Sequence, residues 1–357
     1  MLANSNIYII LALVMGFLIS FASTPAVIIL ARRIKAIDVP KDSRRIHKKP
    51  IPLIGGLAIF YGFVISVACF ATLEKEIIGI LIGATIMVTV GIFDDKYELS
   101  AKLKLLFQII AAAVVILFGV DIQHIANPIA KWIGPQYISL GYWSIPLTLV
   151  WIVGVTNAVN LIDGLDGLAV GVSSIASVAI LSLTVLSQNF NAAIVTAALA
   201  GAGFGFLPYN FNPAKIFMGD TGSTFLGFVL ACISIQGIMK THALISIAAP
   251  VLILGLPIFD TLFAIIRRIL KRKPIMSPDR GHLHHRLLDM GFSQRRTVTI
   301  LYTLTSILCL TAVVMALKNV FRGLILVFAV IVILIVTFAL MEPKAEDAKE
   351  EKKNEKN

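Results

Sequence analysis

Apolar residues run along this chain in long uninterrupted blocks, with polar positions confined to the short stretches between them. A helix crossing the hydrocarbon layer of a bilayer needs about 20 such residues. Blocks of that order occupy residues 7–30, 53–71, 77–93, 103–120, 145–155, 168–186, 192–206, 221–238, 243–266, 298–317 and 321–340. The pattern predicts an all-α integral membrane protein with about eleven transmembrane helices, folded as a single polytopic catalytic domain over residues 1–342. Blocks 145–155 and 192–206 fall short of the usual length. The first block is longer than a signal peptide's apolar core and lacks the basic residues that precede one, so it is expected to remain as a helix. Residues 343–357 mix Lys and Glu with few apolar residues and are expected to form a disordered charged tail.

Composition agrees with this pattern. Hydrophobic residues make up 58% of the 357 and charged residues 14%, too little polar surface to cover a water-soluble globule of this size. The formal charge of +11 has a simple origin. Of the 31 Lys and Arg, 26 fall in segments 32–52, 94–104, 208–220 and 267–296 and after residue 341, all on one side of the predicted bilayer. Lys75, Lys131, Lys240, Lys318 and Arg322 fall on the other. Basic residues are retained in the cytoplasm, which places the N-terminus outside and the C-terminus inside. A basic excess confined to short loops signals orientation, not nucleic acid. Cys69, Cys232 and Cys309 lie in apolar runs with no pairing motif, so neither disulfides nor a zinc site is suggested. The outer segment 121–143 alternates loosely over 136–143, which suits a short external hairpin or an interfacial strand, and Trp132, Tyr137, Tyr142 and Trp143 suit an interfacial belt.

The remaining polar residues cluster at the inner ends of the spans. Asp94 and Asp95 are adjacent carboxylates closing an apolar helix. They repel each other unless a cation lies between them, so they read either as a metal or proton site or as a polar helix end at the interface. Asn157, Asn160 and Asp163 recur every three residues along one helical face, and Gly164, Asp166 and Gly167 follow, with no basic residue within the segment. Asn210 to Pro213 and Lys215 to Ser223 precede another span. There Asp220 or Thr221 suits an N-cap, while the free N–H groups of a helix start also suit an anion beside a divalent ion. Arg280, His282, His284, His285 and Arg286 lie in a strongly basic loop, which favours phosphate over zinc. Arg44, Arg45, His47, Lys48 and Lys49 form a second basic group. Asp260 stands inside a span, seven residues before Arg267, as a functional group or as the partner of a kinked helix.

Metal-competent acids and phosphate-seeking bases on one membrane face suit transfer between a soluble phosphorylated donor and a lipid phosphate acceptor. A secondary transporter would hold its charges near the midplane. A CDP-alcohol phosphotransferase would carry an arginine after its aspartate–glycine signature, and none follows Asp163-Gly164 or Asp166-Gly167 in that way.

Four motifs carry a resemblance. They are Phe93-Asp94-Asp95, the run from Asn157 to Gly167, Phe217-Met218-Gly219-Asp220-Thr221-Gly222-Ser223, and His282-Leu283-His284-His285-Arg286. Together with the Pro52 to Gly56 segment they cover Arg44 to Arg286 in order, and they resemble the inner-loop motifs of the polyprenyl-phosphate N-acetylhexosamine-1-phosphate transferases. The relatives that act on phospho-N-acetylmuramoyl-pentapeptide carry three successive histidines where this chain has His284-His285-Arg286. The chain therefore resembles the branch using UDP-N-acetylglucosamine. The resemblance implies transfer of N-acetylglucosamine 1-phosphate to undecaprenyl phosphate with release of UMP, as a first step of a cell-envelope glycan such as teichoic acid or O antigen. Transfer of phospho-N-acetylmuramoyl-pentapeptide, or of another UDP-amino sugar, is the alternative.

By the same resemblance, Asp220 is the leading ligand for Mg²⁺, with Mn²⁺ as an acceptable substitute. Asp94 and Asp95 activate the lipid phosphate, and Asp163 completes the catalytic acids. Phe217 stacks on uracil, and Asn210 and Asp166 bind the nucleotide. His282, His284, His285 and Arg286 hold the pyrophosphate or sugar; Lys48, Asn157 and Asn160 complete the substrate contacts. Direct in-line attack is the preferred mechanism, with a covalent aspartyl phosphate left open. The implied setting is the bacterial plasma membrane with the active site on its cytoplasmic face, and a homodimer is compatible with the sequence.

Overall fold

Among the described residues the apolar blocks are helical apart from short loops and ribbons, because in lipid each backbone N–H and C=O must be satisfied within its own segment. The computed structural model describes residues 2–39, 50–126, 137–239, 247–272, 274, 281–317 and 325. In chain order the elements are α1 (Leu2–Arg33), β1 (Ile37–Asp38), β2 (Ile51–Pro52), α2 (Gly56–Phe70), α3 (Lys75–Tyr97) and α4 (Ala101–Leu117). Then come β3 (His124–Ala126), β4 (Tyr137–Ser139), α5 (Ser144–Ile162), α6 (Leu168–Leu186), α7 (Phe190–Asn210) and α8 (Gly219–Ser234). The last are α9 (Ala248–Ile253), α10 (Gly255–Leu270), α11 (Leu283–Asp289) and α12 (Gln294–Ala316).

Among the described residues, seven helices are long and apolar enough to cross a membrane: α1, α3, α5 with its leading turn, α6, α7, α8 with the π-helical Ile235–Met239 that extends it, and α12. The protein is a multi-pass α-helical membrane protein. These seven account for part of the eleven spans expected from the sequence. α2 has 15 residues and α4 has 17, about 22 and 26 Å at the helical rise, and each starts at the end of the bundle where its preceding helix finishes and runs back toward the other. The block 243–266 is broken at Leu254 into α9 and α10, and its first residues lie outside the described residues. Block 321–340, apart from Ile325, and the tail 343–357 also lie outside them.

Three boundaries moved in a way that matters for the site. α3 runs on to Tyr97, α5 to Ile162 and α7 to Asn210, so Asp94, Asp95, Asn157 and Asn160 are helical residues. Hydropathy ended the spans of α3 and α5 just before Asp94 and Thr156. The helices continue because the carboxylates and amides that follow find partners on neighbouring helices.

α8 is the axis of the bundle. It packs against α2, α3, α5 and α6, and it buries Phe225 and Phe228 completely. Phe225 meets Phe63 of α2 edge-on, with ring centroids 5.6 Å apart. Close approach rests on small residues, the usual device where lipid gives no hydrophobic drive. A Cβ on Gly56 of α2 would overlap the backbone of Gly222, and one on Gly91 of α3 would overlap that of Thr221. Of the segment 136–143, residues 137–139 form β4, which pairs antiparallel with β3, Ile125 opposite Ile138, and Tyr142 and Trp143 just after it are exposed. A second ribbon, not foreseen, pairs β1 with β2.

Candidate active site

Four helix ends meet on one side of the bundle: the C-terminal ends of α3 and α5 and the N-terminal ends of α4 and α8. Gly91 lets α3 lie directly on Thr221, and one turn further on the Asp95 carboxylate reaches the start of α8. Asp95 accepts the backbone N–H groups of Asp220 at 2.8 Å and Thr221 at 3.1 Å, and the Thr221 hydroxyl at 2.6 Å. No side chain of the preceding residue, Met218, caps this helix. The N-cap expected from Asp220 or Thr221 is thus supplied by Asp95 across the bundle, where a negative charge also complements the helix dipole. The N–H groups that the sequence reading offered to an anion already have one. Asp95 in turn has both oxygens engaged by the start of α8, which it anchors, while it also lines the cavity described below.

Its neighbour Asp94 turns the other way, toward Lys104. The Lys104 ammonium lies 2.8 Å from Asp94 Oδ2 and 2.8 Å from Asp220 Oδ2, and Leu99 N–H donates to Asp94 Oδ1 at 2.7 Å. The amide of Asn160 donates to Asp220 Oδ1 at 3.0 Å and to the Ser223 hydroxyl at 2.8 Å. Lys104 escaped the sequence reading because it was counted with the orienting charges of its loop. Its signal was its place near a helix N-terminus, the end where the dipole disfavours a cation. Asn157, grouped with Asn160 by spacing, faces Gln108 of α4 instead, donating to its carbonyl at 2.6 Å and accepting from its amide at 3.3 Å. It does not line the cavity described next.

Beside these groups lies a cavity of about 870 Å³. Asp95, Asn160, Asp163, Asp166 and Asp220 line its acidic wall. Among the described residues no donor reaches the Asp163 carboxylate. Burial and the negative charges of Asp220, Asp95 and Asp166 push its pKa up to about 8. Asp166 accepts from the Asn212 amide at 2.9 Å and from Ala214 N–H at 3.0 Å. Phe217 lines the cavity, its backbone held by Pro52 and Gly55. Asn210 lines it too, but its amide accepts from Gly167 N–H at 3.1 Å and donates to the Ile216 carbonyl at 3.0 Å. These two bonds pin two loops together at the cavity wall.

The histidine motif is divided. His285 lines the cavity, with its ring 4.3 Å from that of His284. His284 is buried, packs so closely on Gly164 that a Cβ there would overlap its ring, and is kept neutral as burial lowers its pKa to about 4. His282 contacts Asp260. Arg286 is exposed and outside the cavity lining, and Lys48 lies outside the described residues. Asp94, Asp95, Asp163 and Asp220 do gather at one end of the bundle. Among the described residues, however, no three acid or histidine side chains converge on one point, and Asp94 and Asp220 meet at Lys104 instead. Mg²⁺ keeps several waters and takes only one or two carboxylates, so Asp163, without a donor among the described residues and surrounded by like charge, with Asp220 beside it, makes a donor set that fits such an ion.

The sequence profile of glycosyl transferase family 4 matches residues 77–238. Over 338 residues the chain is 42% identical to a probable undecaprenyl-phosphate N-acetylglucosaminyl 1-phosphate transferase of Bacillus subtilis, covering 93% of this chain and 92% of that protein. The chain belongs to glycosyl transferase family 4. Similarity extends to a decaprenyl-phosphate N-acetylglucosaminephosphotransferase of Mycobacterium tuberculosis, 34% identical over 80% of this chain and 77% of the relative. A phospho-N-acetylmuramoyl-pentapeptide-transferase of Halalkalibacterium halodurans is 31% identical over 85% of this chain and 96% of its own length. In this member of family 4 the matched segment spans α3 to α8, and so holds Asp94, Asp95, Lys104, Asn160, Asp163 and Asp220. The histidine motif of α11 lies beyond it.

Proposed function

We propose that the protein transfers N-acetylglucosamine 1-phosphate from UDP-N-acetylglucosamine to undecaprenyl phosphate, releasing UMP, on the cytoplasmic face of a bacterial plasma membrane. It is an enzyme, a sugar-1-phosphate transferase. The observation that carries this reading is the convergence of Asp163, Asp166 and Asp220 on a cavity at the helix ends of a chain 42% identical to the Bacillus subtilis protein. The cavity, at about 870 Å³, suits a nucleotide sugar. The excess of Lys and Arg in the loops at this end supports a cytoplasmic site.

Asp220 and Asp163 would hold Mg²⁺, which when bound neutralises charge between two phosphorylated substrates. Lys104 holds the Asp220 carboxylate from one side and Asn160 from the other, fixing its direction before substrate arrives. Phe217 offers a ring to the base, Asp166 keeps an oxygen for a nucleotide N–H, and His285 faces the phosphates. The lipid phosphate then attacks in line, with the residues positioning groups and balancing charge. The product would begin a cell-envelope glycan.

The test is UMP release by the purified protein with undecaprenyl phosphate and Mg²⁺, given UDP-N-acetylglucosamine or the muramoyl-pentapeptide donor. Turnover with the first donor and loss on chelation are expected. Turnover with only the second would move the protein to the other branch, and full activity after chelation would remove the metal.

A further inference from the structure

Asp260 has no part in the site described above, yet both of its oxygens are engaged. It belongs to α10 and is 8% exposed. Its Oδ2 lies 2.8 Å from His282 Nδ1, and its Oδ1 accepts the backbone N–H of Leu283 at 2.8 Å. Leu283 is the first residue of α11 and His282 its N-cap position, where no side chain of the helix's own supplies the cap. One carboxylate therefore fixes the ring that precedes α11 and satisfies its first free N–H. Arg267, two turns further along α10, lies against Gly281, which leaves no room for a Cβ. The His282 ring is parallel to that of His284 within 8° at 5.8 Å, His284 packs on Gly164, and His285 opens on the cavity. A continuous series of contacts leads from Asp260 to the cavity wall.

Resting on the transfer reading above, we propose that Asp260 is a positioning residue that acts through His282 to set His284 and His285 against the donor's phosphates. A carboxylate bonded to one imidazole nitrogen fixes the tautomer and ring plane, so His282 presents Nδ1–H to Asp260. Asp260 touches no substrate itself. Its loss should impair use of the nucleotide sugar and leave use of the lipid unchanged.

The experiment uses the full chain in detergent or nanodiscs. Asp260→Ala and His282→Leu should raise the KM for UDP-N-acetylglucosamine or lower kcat by ~10- to 100-fold, the usual effect of losing a carboxylate behind a histidine. The KM for undecaprenyl phosphate should stay within about 2-fold. His282→Asn returns a donor to the Nδ1 position and should recover most of the activity. Asp260→Ala combined with His285→Ala should be no worse than His285→Ala alone, because residues acting through one another are not additive. Full additivity, or an equal rise in both KM values, would overturn the proposal. Amide hydrogen exchange over residues 282–289 tests the tether without turnover: faster exchange in Asp260→Ala is expected, and unchanged exchange overturns the tether even in an active enzyme. A wild-type protein that exchanges as expected but releases no UMP would instead overturn the transfer reading.

Discussion

The carboxylate of Asp95 accepts the backbone N–H of Asp220 at 2.8 Å, so the helix that carries one acidic residue of the site is anchored by another, 125 residues away. With Thr221 adding two further bonds to Asp95, this contact fixes where α8 begins. Asp95→Ala should lower stability by ~1–2 kcal/mol, the range for a lost helix cap, and abolish activity. Asp95→Asn retains one acceptor oxygen and should fall between the two. Thermal unfolding in detergent beside UMP release decides it, and an Asp95→Ala protein as stable and active as the wild type would refute the anchor.

Lys104 joins Asp94 to Asp220, with the ammonium 30% exposed and the carboxylates 7% and 28% exposed. Lys104→Met leaves two carboxylates facing each other without a cation. A loss of ~1–3 kcal/mol follows from breaking a partly buried pair, and turnover should fall ~100-fold or more as Asp220 loses its direction. Asp220→Ala should stop turnover with the helices still folded, as read by circular dichroism. If Lys104→Met turned over normally, the ammonium would have no role in the site.

Helix contacts at glycine give a structural control. Gly91→Ala and Gly56→Ala place a Cβ into the backbones of Thr221 and Gly222, and neither backbone can yield as a side chain would. Each should cost ~1–3 kcal/mol by overpacking and displace the acidic end of α3, or the start of α2, from α8. Gly154→Ala, in the middle of α5 with nothing within 4 Å of the new methyl, should be neutral or stabilise by ~0.5–1 kcal/mol. Unfolding temperatures that fail to separate the two classes would contradict this packing.

The charge on Asp163 sets a pH dependence. Its pKa is pushed from 3.8 up to about 8, so the folded protein holds this proton more tightly than the unfolded chain. The associated stability is fully present below about pH 4 and is lost as the pH rises through about 8. Asp163→Asn removes the penalty. Without divalent ions, the variant should unfold at a higher temperature than the wild type at about pH 9 and at the same temperature at about pH 4. His284 works in the opposite sense: lowered to about 4, it contributes stability above its ordinary 6.5 that is lost as the pH falls through 4. Because both proteins retain it, it cancels from the comparison. Equal unfolding temperatures at the high pH would mean that the Asp163 charge is already compensated.

Much of this protein was legible in one dimension. Length and hydropathy decide whether a segment can satisfy its backbone inside lipid, so the spans from residue 7 to 317 could be read from the sequence, although α2 and α4 came out short and the block 243–266 came out broken. The gathering of Asp94, Asp95, Asp163 and Asp220 at one end followed from the same reasoning, since successive spans alternate in direction. The apolar block stopped at residue 155 although the helix runs on through Asn157 and Asn160, whose partners Gln108, Asp220 and Ser223 lie on other helices.

Tertiary structure alone decided the pairings. That Asp95 would cap α8, that Lys104 would bridge Asp94 and Asp220, and that Asp260 would hold His282 depends on which helix faces which, and on rotations about their axes. Spacing along one helix fixes the face a residue shares with its own neighbours. A charge finds its partner only when another segment, distant in sequence, is packed within about 3 Å of it. The sequence therefore determined which residues would meet at this end of the membrane, and the packing of α3, α4, α5 and α8 determined which carboxylates are already occupied and which one, Asp163, still lacks a partner among the described residues.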